Sequence, residues 1–208
     1  MNLEQIKELD KKYYMNTFGD RTPLAFESGK GITLTAVDGK EYLDFFAGIA
    51  VSSLGYGHTR LITELCDQVS KLLHCSNVYY IENQARLAQM IVENTCADRV
   101  FFANSGAEAN EGAFKLVKKY FYNEGKPQKH EIITLNNSFH GRTLAAVAAT
   151  AQEKYQKPYA PLLEKFIHVT ANDEKELEAA FNENTAALMI EVIQGESGVR
   201  PLTREYVK

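Results

Sequence analysis

Three short stretches carry residues whose types and spacing could do chemistry. In the first, Asn104-Ser105-Gly106-Ala107 lies between an apolar run, Val100 to Ala103, and a helical pattern that begins near Ala109. A strand feeding a helix through such a junction exposes unpaired helix N-terminal N–H groups beside small side chains, which suits a phosphate dianion. Ser105-x-x-Glu108 is also a capping box, whose side chains satisfy the helix's own N–H groups. From these residues alone a structural cap and a phosphate cradle stand nearly level. Gly106 and Ala107 favour the cradle slightly, because they let a ligand approach the backbone.

The second stretch is Asn136-Asn-Ser-Phe-His-Gly-Arg-Thr143, between a predicted strand and a predicted helix. Phe139 could plug the core, or offer an aromatic face to a planar cofactor. Arg142 stands at the start of a helix, the unfavourable pole of the macrodipole for a cation, at a cost of roughly 0.3–1 kcal/mol. Something anionic should compensate, either a substrate carboxylate gripped bidentately or a structural Asp or Glu. In the third stretch, Met189 to Gly198, a buried strand runs into a glycine loop bearing Glu191 and Glu196. Paired carboxylates invite a general acid/base reading, and Glu191 reads equally as a strand-end carboxylate that caps nearby backbone.

The surrounding pattern is that of an α/β protein. Residues 3 to 13 place Leu3, Ile6, Leu9 and Tyr13 on one helical stripe. Gly31 to Val37 and Lys40 to Phe45 flank Asp38-Gly39, a strong hairpin signal. A glycine-rich, irregular connection follows, then a helix capped by Thr59 with Leu61, Leu65, Val69 and Leu72 on its apolar face. His58 reads as a satisfied loop histidine. A helix from Gln84 to Asn94 leads into the strand at Val100–Ala103 and the helix beyond Ala109. The alternation then repeats, with strands at Glu131–Leu135, Lys165–Val169 and Ala186–Val192 and helices from about Leu144 and over Glu174–Phe181. Strands separated by helices imply crossovers and a mostly parallel sheet flanked by helices, preceded by a small antiparallel N-terminal segment. Ligands bind such sheets at the carboxyl ends of their strands, so the Ser105 and Phe139 loops should face one crevice. The expected division is residues 1–58, arm and hairpin, and residues 59–208, the first part of a larger domain.

Composition narrows the classes. The 208 residues are 45% hydrophobic and 24% charged with a formal charge of −4, which fits a globular chain and offers no basic footprint for nucleic acid. No run is long enough to span a bilayer and the first residues form no signal peptide, so a cytoplasmic location is expected. Cys66, Cys75 and Cys96 are odd in number and lack C-x-x-C spacing, which argues against disulfides and a metal site. They read as small core or boundary residues.

Phe101 to Glu111, Phe-Phe-Ala-Asn-Ser-Gly-Ala-Glu-Ala-Asn-Glu, resembles the phosphate-binding segment of the class III aminotransferases, pyridoxal-phosphate enzymes, and of the acetylornithine subgroup in particular. Phe139-His-Gly-Arg-Thr143 matches a second motif of that family. The resemblance implies an aspartate-aminotransferase-like (fold type I) large domain and pyridoxal 5'-phosphate as cofactor. It implies that Ser105, Gly106 and Ala107 hold the cofactor phosphate, that Phe139 stacks on its ring and that Arg142 holds the substrate α-carboxylate. The resemblance also brings Asn77 and Tyr79 near the active-site mouth, while the residues themselves read equally as an aromatic loop packing on the core. Glu191 to Glu196 resembles a Glu-Pro-x-Gln-Gly-Glu segment whose second glutamate masks an arginine, so that one pocket accepts an amine tail and a dicarboxylate. Glu196 matches that position, which displaces the acid/base reading. Val192 stands where Pro is common, Ser197 where Gly is common, and Tyr56-Gly57-His58-Thr59 replaces the usual His-x-His-Pro.

The implied reaction moves the terminal amine of N-acetylornithine to 2-oxoglutarate, with ornithine, 4-aminobutyrate or succinyl-diaminopimelate as alternative donors, in a homodimer. A non-catalytic module that keeps only a phosphate cradle is the contrasting reading. The family's Schiff-base lysine and the Asp that pairs with the pyridinium nitrogen are expected beyond residue 208. The chain therefore reads as truncated, and inactive by itself.

Overall fold

The computed structural model describes residues 1–163, 165–196 and 198–208, so the Ser197 departure lies outside the described residues. The chain divides into two compact units, Met1–Ala85 and Arg86–Lys208. No helix among the described residues is long and apolar enough to cross a membrane.

The N-terminal unit opens with α1 (Leu3–Tyr13), where Asn2 and Gln5 cap each other reciprocally and Lys11 and Lys12 complement the dipole in the last turn. Strands β1 (Phe26–Lys30), β2 (Thr33–Ala36) and β3 (Glu41–Leu43) form an antiparallel sheet in that order. Asp38-Gly39 turns β2 into β3 as the sequence predicts: Gly39 has φ of 81°, and the Lys40 N–H bonds to the Asp38 carboxylate at 3.1 Å. β1 was not anticipated, because its alternation is weak and four of its five residues are exposed. After the single kinked turn α2 (Ala47–Ala50) comes α3 (Thr59–Lys71). Its cap is His58 rather than Thr59, the His58 Nδ1 accepting the Leu61 N–H at 3.2 Å. Cys66 and Cys96 are exposed, not core, and Cys75 is half-buried. Cys66 lies on α3, which buries no residue. α4 (Glu82–Glu93) runs across the division between the units.

The C-terminal unit is organised on β4 (Glu131–Leu135), buried at every position. α5 (Gly106–Asn123) precedes it, and α6 (Leu144–Ala149), α7 (Glu153–Gln156) and a 3-10 turn follow. Next come β5 (Phe166–Val169), α8 (Glu174–Ala180) and β6 (Thr185–Leu188). The parallel order is β5-β4-β6, with Ile133 level with Ile167 and Leu188. The two-residue period of β4 sends its side chains to opposite layers. Ile133 and Leu135 pack with Val169 and Leu202, against Leu177 and Tyr206. Ile132 packs with Phe114 and Ala149, and Phe114 meets Phe166 edge-to-face at 5.2 Å. Helices therefore cover both faces, which is why β4 reads as a continuous apolar run.

Two strand expectations change. Residues 100–103 join no sheet among the described residues, since a strand needs a ladder neighbour and none pairs with them; Phe101 is 72% exposed. The strand expected over Ala186–Val192 leaves its ladder at Met189, whose N–H makes the final bond, to Ile133 O at 2.8 Å. Beyond it, β7 (Ile193–Gln194) pairs antiparallel with β8 (Arg200–Pro201), and Thr203 caps the short α9 (Arg204–Val207).

Ile133 is fully buried, so Ile133→Ala should cost about 2–5 kcal/mol through lost burial and a residual cavity. Urea unfolding measures this, and a loss below about 1 kcal/mol would place the core elsewhere.

Candidate functional site

β4 ends in the loop 136–143, whose residues 136–140 are each tied through the backbone to other segments. The Asn136 N–H extends the parallel ladder to Val169 O at 2.7 Å, and the Asn137 N–H reaches Ala151 O at 3.0 Å. Gln152 Nε2 donates to Ser138 O at 2.9 Å, and the His140 N–H donates to Thr150 Oγ1 at 2.7 Å. The Phe139 N–H donates to the Glu191 carboxylate at 3.1 Å. A loop tied from several elements holds its side chains in one geometry without a ligand.

The second wall is the start of α5. Ser105 is its N-cap, the hydroxyl oxygen accepting the Glu108 N–H at 3.2 Å, while the Glu108 carboxylate accepts from Asn104 N at 2.7 Å rather than from the cap residue itself. Capping uses only the acceptor side of Ser105, so its O–H proton can still be given to an anion. The N–H groups of Gly106 and Ala107, at the first two helical positions, have no intrahelical acceptor. A Cβ on Gly106 would meet nothing within 4 Å, so the approach is open and fits a phosphate dianion.

The two walls are clasped together. Asn110 Nδ2 donates to His140 O at 2.7 Å and Thr143 Oγ1 to Glu111 Oε1 at 2.5 Å. At Gly141, φ is +129° and an added Cβ would lie 2.8 Å from Ala107 Cβ and 3.0 Å from Ala146 Cβ. Ser105, Gly106, Ala107, Phe139 and Arg142 therefore form one constellation.

Arg142 precedes α6 and its cap Thr143. No carboxylate pairs with it among the described residues; its guanidinium carbon lies 3.8 Å from the Tyr155 ring centre and 5.5 Å from that of Phe139. The two rings meet edge-on at 6.0 Å. Tyr155 Oη donates to Glu196 Oε1 at 2.7 Å, and Gln152 Nε2 donates to Glu196 Oε2 at 2.7 Å. The two glutamates sit in contrasting surroundings. Hydrogen bonds from Tyr155 and Gln152 hold the Glu196 carboxyl below the usual range. Burial pushes Glu191 up, the Phe139 N–H opposing and the Glu196 charge adding to the effect. His140 is buried and its Nε2 has no partner among the described residues. Burial, with His168 nearby, lowers its pKa to about 4.

Asn77 and Tyr79 belong to the N-terminal unit, in an exposed turn after Ser76, which has φ of 66°. The sequence reading missed Asn110, Gln152 and Tyr155. Their only signal is spacing: Gln152 and Tyr155 stand three apart at the start of a short helix, a pattern common to many surfaces.

A family model described as aminotransferase class-III matches residues 14–208. Acetylornithine aminotransferase of Caldanaerobacter subterraneus subsp. tengcongensis is 49% identical over 199 residues, 96% of this chain and 50% of that protein. That of Methanothermobacter thermautotrophicus is 45% identical over 208 residues, all of this chain and 52% of that protein. Among solved structures, the ornithine aminotransferase of Toxoplasma gondii ME49 superposes with a TM-score of 0.91 at 30% identity, over 100% of this chain and 49% of that one. The chain spans about half the length of the curated relatives it matches. The fold is the expected α/β, aspartate-aminotransferase-like arrangement of fold type I.

Two outcomes test this construction. Gly141→Ala should destabilise the protein by about 1–3 kcal/mol, from a strained positive φ and a clash at the clasp; an unchanged Tm would show that the walls can separate freely. His140 has a folded pKa of about 4, below its unfolded value of about 6.5. Protons therefore bind the unfolded state more readily, and its contribution is complete above about pH 6.5 and is lost as pH falls toward 4. Melting between pH 7.5 and 5 should show this decline, and His140→Phe should flatten it. Parallel profiles for the two proteins would assign the decline elsewhere.

Proposed function

The chain belongs to the class III aminotransferases, and from that premise we propose that it forms part of an enzyme moving the terminal amine of N-acetylornithine to 2-oxoglutarate with pyridoxal 5'-phosphate. Acetylornithine aminotransferases 45–49% identical to it support this donor over ornithine, 4-aminobutyrate or succinyl-diaminopimelate. Two related structures support the cofactor: a Toxoplasma gondii ornithine aminotransferase described with PLP at its active site, and a Vibrio fluvialis aminotransferase in a PMP-bound form. Family membership also supports the homodimer, the cytoplasmic location and the assignment of residues 1–58 to an arm and small-domain segment.

Bound pyridoxal phosphate supplies a carbonyl that captures amines and a ring that accepts electrons from the amine-bearing carbon. The chain's own residues bind and orient. Ser105, Gly106 and Ala107 receive the phosphate with an O–H and two N–H donors. Phe139, fixed through its backbone by Glu191, presents a ring face to the cofactor. Arg142 grips the carboxylate next to the reacting carbon, and Glu196 governs which tail the pocket accepts.

The observation that carries this reading is Arg142, a guanidinium seated on aromatic faces with its charge uncommitted, beside an open helix start. In the full-length enzyme, Arg142→Ala should lower kcat/KM for the amino donor and for 2-oxoglutarate by about 2–4 kcal/mol in transition-state stabilisation, with cofactor content little changed. Unaltered kinetics for both substrates would refute the clamp.

A further inference from the structure

Tyr155 touches two groups of opposite charge at this site, Arg142 and Glu196. Its ring carries the Arg142 guanidinium at 3.8 Å, while its hydroxyl donates to Glu196 at 2.7 Å. The ring is half-buried and braced edge-on by Phe139 at 6.0 Å. Opposite charges bound to two parts of one side chain would otherwise attract each other. An Arg–Glu ion pair is the strongest contact either could make nearby, and it would consume the positive charge an incoming carboxylate needs.

On the reading that Arg142 is the carboxylate clamp, we infer that Tyr155 is a positioning residue: it seats the guanidinium on its ring, anchors Glu196 through its hydroxyl, and so keeps the two from neutralising each other. The two functions separate chemically. Removing only the hydroxyl leaves the aromatic seat and leaves Glu196 bound to Gln152 at 2.7 Å and Lys154 at 3.4 Å. Removing the ring frees Arg142 to swing onto Glu196. The loss should then fall on carboxylate binding and on KM more than on kcat, because the groups that act on the amine-bearing carbon are untouched.

The test uses the full-length protein with its cofactor bound and glutarate, a dicarboxylate that cannot transaminate, as calorimetric probe. Tyr155→Leu should weaken glutarate binding about tenfold, the scale of a lost cation–π seat in a partly desolvated site, and raise KM for donor and 2-oxoglutarate in parallel. Tyr155→Phe should stay within about twofold of the parent, a fraction of one neutral hydrogen bond. In a Glu196→Gln background, where no carboxylate remains to capture Arg142, the Tyr155→Leu penalty should shrink to about twofold, a non-additivity that marks direct coupling. Tyr155→Met, unbranched and adaptable, is made alongside in case the leucine variant does not fold. Parent-like glutarate binding by the Leu and Met variants would overturn the inference, as would a penalty of the same size in the Glu196→Gln background. Arg142→Ala separates the two levels. If it binds glutarate like the parent, the clamp reading itself fails; if it is weakened while Tyr155→Leu is not, only the role of Tyr155 fails.

Discussion

Two segments thirty residues apart can serve one ligand only if their backbones approach closely, and side chains normally prevent that. At Gly141 the obstacle is absent. The backbone there adopts φ of +129°, and a single methyl group would come within 2.8 Å of Ala107 and 3.0 Å of Ala146. With that contact made, Asn110 can reach His140 O and Thr143 can reach Glu111, bonds whose geometry would be lost with a shift of an ångström. The relation between a helix N-terminus that takes an anion and the loop that carries Phe139 and Arg142 follows from this one close approach. Ala107 thus has two structural consequences: its N–H points to the open helix start, and its methyl group fixes how near the other loop can come.

The clasp is rigid only because what it holds is rigid. β4 is the central strand of its sheet, with ladders on both sides and apolar layers on both faces. It cannot slip by one residue without turning Ile133 and Leu135 out of one core and Ile132 out of the other. Polar groups reinforce the exit. Thr134 Oγ1 lies 3.0 Å from Ala149 O and 2.7 Å from His168 Nδ1, and buried Gln194 donates to Asn136 O at 2.9 Å. Each of these groups would be costly if left unpaired in the interior, so together they specify one loop conformation.

The sequence revealed elements whose local signals agree with their tertiary setting. Asp38-Gly39 needs only its own backbone to turn, and β4, β5 and the capped α5 and α8 carry continuous apolar or periodic runs. Val100–Ala103 carries an equally strong strand signal, but a strand is a relation between segments, and no sequence window contains the neighbour. His58 took the cap expected of Thr59 because an imidazole nitrogen one residue earlier also reaches the Leu61 N–H, a choice fixed by backbone direction. In the site, Ser105 to Ala107, Phe139, Arg142 and Glu196 were legible because motif and chemistry coincide. Tyr155 was not. Its importance comes from folding the chain back after α6, so that a residue unremarkable in its own helix lies over Arg142.

The way Arg142 is held follows from what a binding cation must do. If a resident carboxylate neutralised it, each incoming carboxylate would first have to break an ion pair, and much of the gain would be lost to that exchange. If solvent alone surrounded it, the long side chain would sample many rotamers and ordering it would cost up to about 2 kcal/mol on binding. Aromatic faces avoid both losses. Stacking on Tyr155, with Phe139 beyond, restricts the guanidinium at a gain of about 0.5–2 kcal/mol, while no carboxylate among the described residues takes up its charge. Glu196 is already satisfied by Gln152 and the tyrosine hydroxyl, which lowers its tendency to compete. The charge is therefore positioned without being spent, and its full strength is available to the ligand.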